Sequence, residues 1–302
     1  MNAIETPGTG KPAAAPTMLE VEVGRAPPGA RLLLPTGIAT PHDEVLGVSV
    51  EGGEVEEHVA AAGLGLGALL VRPTSRPMVL RYRIGPSATS AYPEIAFALR
   101  RTRHTTAAEE LAGEARSIAA AAGGGEAGIA ALAEDARSRF DYGHPEARFN
   151  DGHETVPLIA CGRAAGSCVD INTYLVASLR AAGYEAAYLY GYFFPAERGG
   201  ITNDMHCWVV TRHAGRVLEW DVAHHMKAGL APVRPALDPK PGRRVALGHS
   251  MGQRYRLADA TIDLKLLAEP VWIMDGVAID VVPLLARLRP VPATIDDRTR
   301  AT

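Results

Sequence analysis

Apolar and polar residues alternate with a period of two from about Leu19 to Pro86, the periodicity of strands that bury one face. The clearest run is Leu80-Arg81-Tyr82-Arg83-Ile84, where Leu80, Tyr82 and Ile84 face one way and the two arginines the other. Leu46, Val48 and Val50 alternate in the same manner with Gly47, Ser49 and Glu51. Turn-forming stretches such as Ala26-Pro27-Pro28-Gly29-Ala30 and Glu51-Gly52-Gly53-Glu54 punctuate the runs. Residues 18–100 therefore read as a β-rich N-terminal domain, a small sandwich, preceded by a disordered lead over residues 1–17.

The period changes after about Tyr92. Thr106 and Glu109 have the spacing of a capping box that opens a helix, and the triple glycine 123–125 ends it. A second helix follows, with Ile129, Leu132, Ala133, Ala136 and Phe140 on one buried stripe. Past an irregular stretch, a third helix begins near Cys168. Three short β-branched and aromatic runs come next, Glu185–Phe194, His206–Thr211 and Arg216–Val222, which read as antiparallel strands of one sheet. Helices followed by a meander argue for an α+β domain over residues 101–230 rather than for βαβ units. Residues 231–302 open on a proline-rich loop and read as a C-terminal extension packed on that core.

Bulk properties narrow the function classes. With 302 residues, 47% hydrophobic and 22% charged, the chain can bury a full core. A formal net charge of −3, with basic residues scattered, gives no electrostatic footprint for nucleic acid or an anionic membrane surface. The longest apolar run, Val59 to Val71, is interrupted by glycines and is shorter than the roughly 20 residues a bilayer requires. Three widely spaced cysteines do not make a disulfide framework and read as thiols in a reducing compartment. The first residues lack a basic start and an apolar segment, so the expected location is cytoplasmic.

Chemistry concentrates around Gly166 to Gly183. Ser167 suits an N-cap and Asp170 completes a capping box, which puts Cys168 at the first helical position. Free N–H groups and the partial positive charge there stabilise a thiolate and can hold an oxyanion. Gly166 and Ser167 are small enough to let a substrate carbonyl approach. His206 opens one strand and Asp221 closes the next. A hairpin centred between His213 and Ala214 would set 206 directly opposite 221, with Cβ atoms about 4.5–5.5 Å apart on one face. An imidazole so placed can be oriented by the carboxylate while its second nitrogen faces a thiol.

These residues carry a resemblance. The stretch from Gly166-Ser167-Cys168 to Arg180-Ala181-Ala182-Gly183, then Gly191-Tyr192, His206-Cys207-Trp208 and Trp220-Asp221, resembles the transglutaminase-like superfamily over roughly residues 107–225. The β-rich part before it resembles the domain that often precedes this core in bacterial members. The resemblance implies a papain-like, transglutaminase-like core, helices packed on an antiparallel sheet, behind a small β-sandwich. It further implies Cys168 as nucleophile, His206 as base and Asp221 as orienter, acting on a glutamine side chain or peptide bond through a thioester. No metal or organic cofactor is implied. The partners would be a peptide or protein amide substrate and, if an amine rather than water resolves the thioester, an amine acceptor. This sequence has Asp221-Val222-Ala223 where the family commonly carries Asp-Pro-Thr, and Cys207 where a small residue is usual.

Alternatives remain at this stage. Cys168-Val169-Asp170-Ile171-Asn172 is also similar to the Cys-x-Glu-x-Asn of arylamine N-acetyltransferases, which use the same three residue types on acetyl-CoA. A catalytically silent peptide-binding module is the reading from a different class. Gly248-His249-Ser250-Met251-Gly252 fits a nucleophile elbow, but no histidine follows His249 to complete that chain order. Cys161, Cys168, His206 and Cys207 lack the knuckle spacing of a zinc site. Trp208 is a candidate cleft wall beside Gly166 and Ser167, Asp170 serves as the cap, and His224 and His225 either line the site or cap the strand end.

Overall fold

The strands that the alternation predicts form, but they pair with distant partners. The computed structural model describes residues 16–75, 77–236 and 238–291; most of the expected lead, residues 1–15, lies outside them. The first six strands are β1 (Thr17–Val23), β2 (Arg31–Pro35), β3 (Glu44–Glu51), β4 (Gly53–Ala61), β5 (Leu66–Pro73) and β6 (Met78–Gly85). The helical region holds α1 (Glu109–Ala121), α2 (Gly125–Ser138), β7 (Phe140–Tyr142), β8 (Ala164–Gly166) and α3 (Cys168–Ala181). It continues with β9 (Glu185–Pro195), β10 (Ile201–Thr202), β11 (Met205–His213), β12 (Arg216–Trp220), α4 (Val222–Lys227) and β13 (Gly242–His249). The chain ends in β14 (Gln253–Arg256), β15 (Thr261–Leu264), β16 (Val271–Met274), β17 (Val277–Asp280) and β18 (Leu284–Pro290).

Two sheets make the sandwich, in the orders β10-β18-β1-β6-β3 and β15-β14-β4-β5-β2-β16-β17. Both draw strands from the two ends of the chain. β18 pairs with β1 along its whole length, from Thr17 opposite Pro290 to Val23 opposite Leu284, closing an edge that β1 would otherwise expose. The segment expected to pack on the core as an extension thus contributes β13 to the core sheet and β14 to β18 to the sandwich. Leu80, Tyr82 and Ile84 are buried as their alternation requires. Leu46 is not: it is 42% exposed, because a bulge between Val45 and Gly47 inserts an unpaired residue into β3.

The core is the antiparallel sheet β12-β11-β9-β13 with α1, α2 and α3 on one face. α3 is buried nearly all round, including Asp170, Asn172, Thr173 and Ser178. β9 joins the two halves of the molecule. Its Tyr188 and Tyr190 pack on the helices, whereas Tyr192 and Phe194 on the same face reach the sandwich core. The opposite face of the sheet, with Leu189, Trp208, Val210 and Ala246, is covered by Tyr92, Ala96 and Phe97. Among the described residues no helix is long and apolar enough to cross a membrane.

One helix start departs from expectation. α1 begins at Glu109 with Ala108 as N-cap and no side-chain cap, because the chain at Thr106 to Ala108 is held extended against Val156. The Val156 N–H donates to the Thr106 carbonyl at 2.8 Å, and the Ala108 N–H to the Val156 carbonyl at 2.9 Å.

Candidate active site

The capping box at α3 forms as its spacing predicts. Ser167 Oγ accepts from the Val169 N–H, and the Asp170 carboxylate accepts from the Ser167 N–H at 2.9 Å. Arg148, from the irregular stretch upstream, adds a clamp: its Nη1 lies 3.1 Å from Ser167 Oγ and 2.9 Å from Asp170 Oδ2. Ser167 is buried in these contacts. Gly166 is also buried, and a Cβ there would come within 2.6 Å of the Phe140 ring. Its smallness accommodates that ring as well as any substrate.

The structure brings Cys168, His206 and Asp221 together, by a route other than the expected one. The turn between β11 and β12 is Ala214-Gly215, both at positive φ, so His213 pairs with Arg216 and Val209 with Trp220. The register is shifted by two residues from that expected, and β12 ends at Trp220. Asp221 is the N-cap of α4 rather than a strand residue, its Oδ1 accepting from the His224 N–H at 2.9 Å. From there its Oδ2 meets His206 Nε2 at 2.7 Å.

Because β12 stops opposite Val209, residues 205–208 of β11 have an open edge on that side, and the Cys168 sulfur lies against His206 and Cys207 of that segment. It takes hydrogen bonds from the Cys207 side chain, the His206 ring and the Cys207 backbone N–H. His206 and Cys207 point to opposite faces of β11, yet the Cys168 sulfur reaches both. The Cys207 hydrogen bond and the imidazole together outweigh burial and hold the Cys168 thiol well below its usual range. Burial disfavours a charged His206, but Asp221 and the Cys168 sulfur overcome it and carry the imidazole up to about 9. Burial would raise Asp221; His206 and Arg244 outweigh it and keep the carboxylate ionised.

Several side chains around this trio come from segments that spacing arguments could not connect. Arg244 of β13, two residues from the Ala246 that shares a row with Gly191 and His206, ion-pairs with both Asp221 and Asp238. The His224 ring stacks on His206 at 4.0 Å and 8°, with its Nδ1 2.9 Å from Asp221 Oδ2. Burial pushes His224 down to about 4, so it is a neutral neighbour. His206, Asp221 and His224 could by themselves hold a metal, their ligand atoms lying within 4.8 Å of one another. The Arg244 guanidinium already occupies Asp221 Oδ2, however, and would oppose a cation there. The Trp208 ring lies 6.4 Å from that of His206 and is buried, lining with Arg244 a cavity of about 180 Å³.

Tyr142, Asp204 and Glu269 lie within electrostatic reach of Cys168. Burial raises Asp204, and burial with the Asp204 charge pushes Glu269 up to about 8. The remaining candidates lie elsewhere. Cys161 is exposed. His225 is tied to the Asp221 carbonyl at 2.8 Å. Ser250 has φ of 64° and contacts His249 at 3.0 Å, but β14 follows it where a nucleophile elbow needs a helix.

Comparison with known proteins agrees with the core assignment. The family model of the transglutaminase-like superfamily matches residues 113–220. No curated protein sequence matches significantly. Among solved structures, a candidate cysteine protease from Cytophaga hutchinsonii aligns at a TM-score of 0.52 and 11% identity, covering 92% of this chain and 98% of its own. The periplasmic domain of TgpA from Pseudomonas aeruginosa aligns at a TM-score of 0.39 and 18% identity, covering 72% of this chain and 90% of its own. The first alignment shows a shared fold across sandwich and core together.

Proposed function

We propose, from the premise that residues 113–220 make this chain a member of the transglutaminase-like superfamily, that it is a thiol enzyme acting on amides through Cys168, His206 and Asp221. The observation that carries the reading is the His206 imidazole, bonded to Asp221 at 2.7 Å on one side and to Cys168 on the other, at the start of a capped helix. The Cys168 thiolate attacks an amide carbonyl, and the tetrahedral oxyanion is met by the Cys168 N–H at the positive end of α3. Tyr142, kept protonated by burial and by the Cys168 charge, is a neutral neighbour of the site. The His206 imidazolium protonates the departing amine or ammonia, leaving a thioester. Water would then complete hydrolysis; an amine would complete acyl transfer.

Labelling with iodoacetamide across pH tests the nucleophile. Cys168 should react ahead of Cys161 and Cys207 at neutral pH, and His206→Ala should abolish the preference. Equal labelling of all three cysteines refutes the reading. Assays of peptide cleavage and of ammonia release from glutamine peptides decide the reaction type, and incubation with acetyl-CoA tests whether Cys168 takes an acetyl group instead. A second reading, a peptide-binding cleft without turnover, is favoured by one observation: Cys168 and His206 are each only 4% exposed. Peptide binding with no thioester detectable by mass spectrometry would establish it.

A further inference from the structure

The proposed reaction leaves one buried thiol unused. Cys207 follows His206 on β11, but its side chain faces the helices, in the same cluster as Cys168. Its S–H and its backbone N–H both bond the Cys168 sulfur. Asn172, one turn along α3 from Cys168, donates Nδ2 to the Cys207 carbonyl at 2.9 Å and to Cys207 Sγ at 3.4 Å. The helix that carries the first thiol therefore also grips the second. Both are buried, whereas Cys161 is exposed. An oxidised Cys168 would meet Cys207 before any other thiol.

We propose that Cys207 is the resolving thiol of Cys168, so that oxidation by a peroxide closes a Cys168–Cys207 disulfide instead of running on to irreversible acids. The inference rests on Cys168 being the ionised nucleophile of the reading above. In the first step the Cys168 thiolate attacks one peroxide oxygen and the O–O bond breaks. Sulfur is oxidised by two electrons to the sulfenic acid, and hydroxide leaves. In the second the Cys207 sulfur attacks the sulfenic sulfur, the S–O bond breaks, and the Cys207 proton leaves with hydroxide as water. The disulfide withdraws the nucleophile from His206, and a dithiol reductant restores it.

The test is peptide mapping of the full chain after hydrogen peroxide in several-fold molar excess over thiols, with free thiols alkylated under denaturing conditions. The expected product joins the Cys168 and Cys207 peptides with the loss of two hydrogens, persists in Cys161→Ser, and disappears with dithiothreitol as Cys168 labelling returns. In Cys207→Ala, scaled to its own starting labelling, Cys168 should gain two or three oxygens and dithiothreitol should recover none of it. A sulfinic Cys168 beside a free Cys207 in the unsubstituted protein, which requires no variant to fold, overturns the proposal, as does a cross-link to Cys161. Iodoacetamide labelling of the reduced protein reports the catalytic reading separately. Preferential Cys168 labelling without the cross-link overturns only the resolving role, and loss of both overturns both.

Discussion

α1 and α3 begin with the same local signature, Thr106-Ala-Ala-Glu109 and Ser167-Cys-Val-Asp170, yet only the second forms a capping box. At α1 the bridge to Val156 keeps the backbone extended through Ala107, so Thr106 is outside the helix it was expected to cap. At α3 the preceding strand β8 ends at Gly166, one residue before the cap, and Arg148 adds an ion pair to Asp170 and a hydrogen bond to Ser167. A cap's local hydrogen bonds contribute about 1 kcal/mol, which a strand bridge of two backbone hydrogen bonds can override. The difference also has a functional side. The start of α1 carries no chemistry, whereas that of α3 fixes where a sulfur meets an imidazole.

The largest effect should come from removing what the α3 start presents its sulfur to. His206→Ala should lower amide turnover roughly a hundred- to ten-thousandfold, measured as kcat/KM once a substrate is in hand. Asp221→Asn tests the orienter by a titration. The His206 imidazolium, held up to about 9, should lose its proton at lower pH once the carboxylate no longer opposes burial. In the unsubstituted protein the ion pair is complete below about 9 and is lost as pH rises through it; in the variant NMR of the ring should show that limb moved down. An unmoved titration would deny Asp221 the role. Asp170→Ala removes the half-buried ion pair to Arg148 and two hydrogen bonds from Ser167 and should cost about 2 kcal/mol in chemical denaturation, with loss of selective Cys168 labelling. The smallest pair measures the contrast directly: Ser167→Ala should cost about 1 kcal/mol and Thr106→Ala only a few tenths. Equal losses at the two sites would mean that the strand bridge at α1 does not outrank its cap.

Much of the site could be read from local pattern. A cysteine one residue after the serine of a Ser-x-x-Asp cap, and a histidine and an aspartate flanking a hairpin, point to Cys168, His206 and Asp221. They meet even though the register is shifted by two, because a shift of two keeps side-chain parity and because Asp221, as an N-cap, turns back toward the strand. Other members had no local sign. Arg244 looks like an ordinary strand residue until β13 pairs with β9, and Cys207 looks like core packing until α3 brings Cys168 against it.

The amino-acid order thus settled what depends on a few neighbouring residues: which side chains face inward, where α3 starts, and that a thiol stands at its positive end. Folding alone settled which edges meet. β18 sealing β1, β13 bringing Arg244 to Asp221, and the unpaired start of β11 all follow from strand edges finding partners far along the chain. Backbone pairing of that kind leaves no periodic trace in either partner, since every strand offers the same donors and acceptors along its edge.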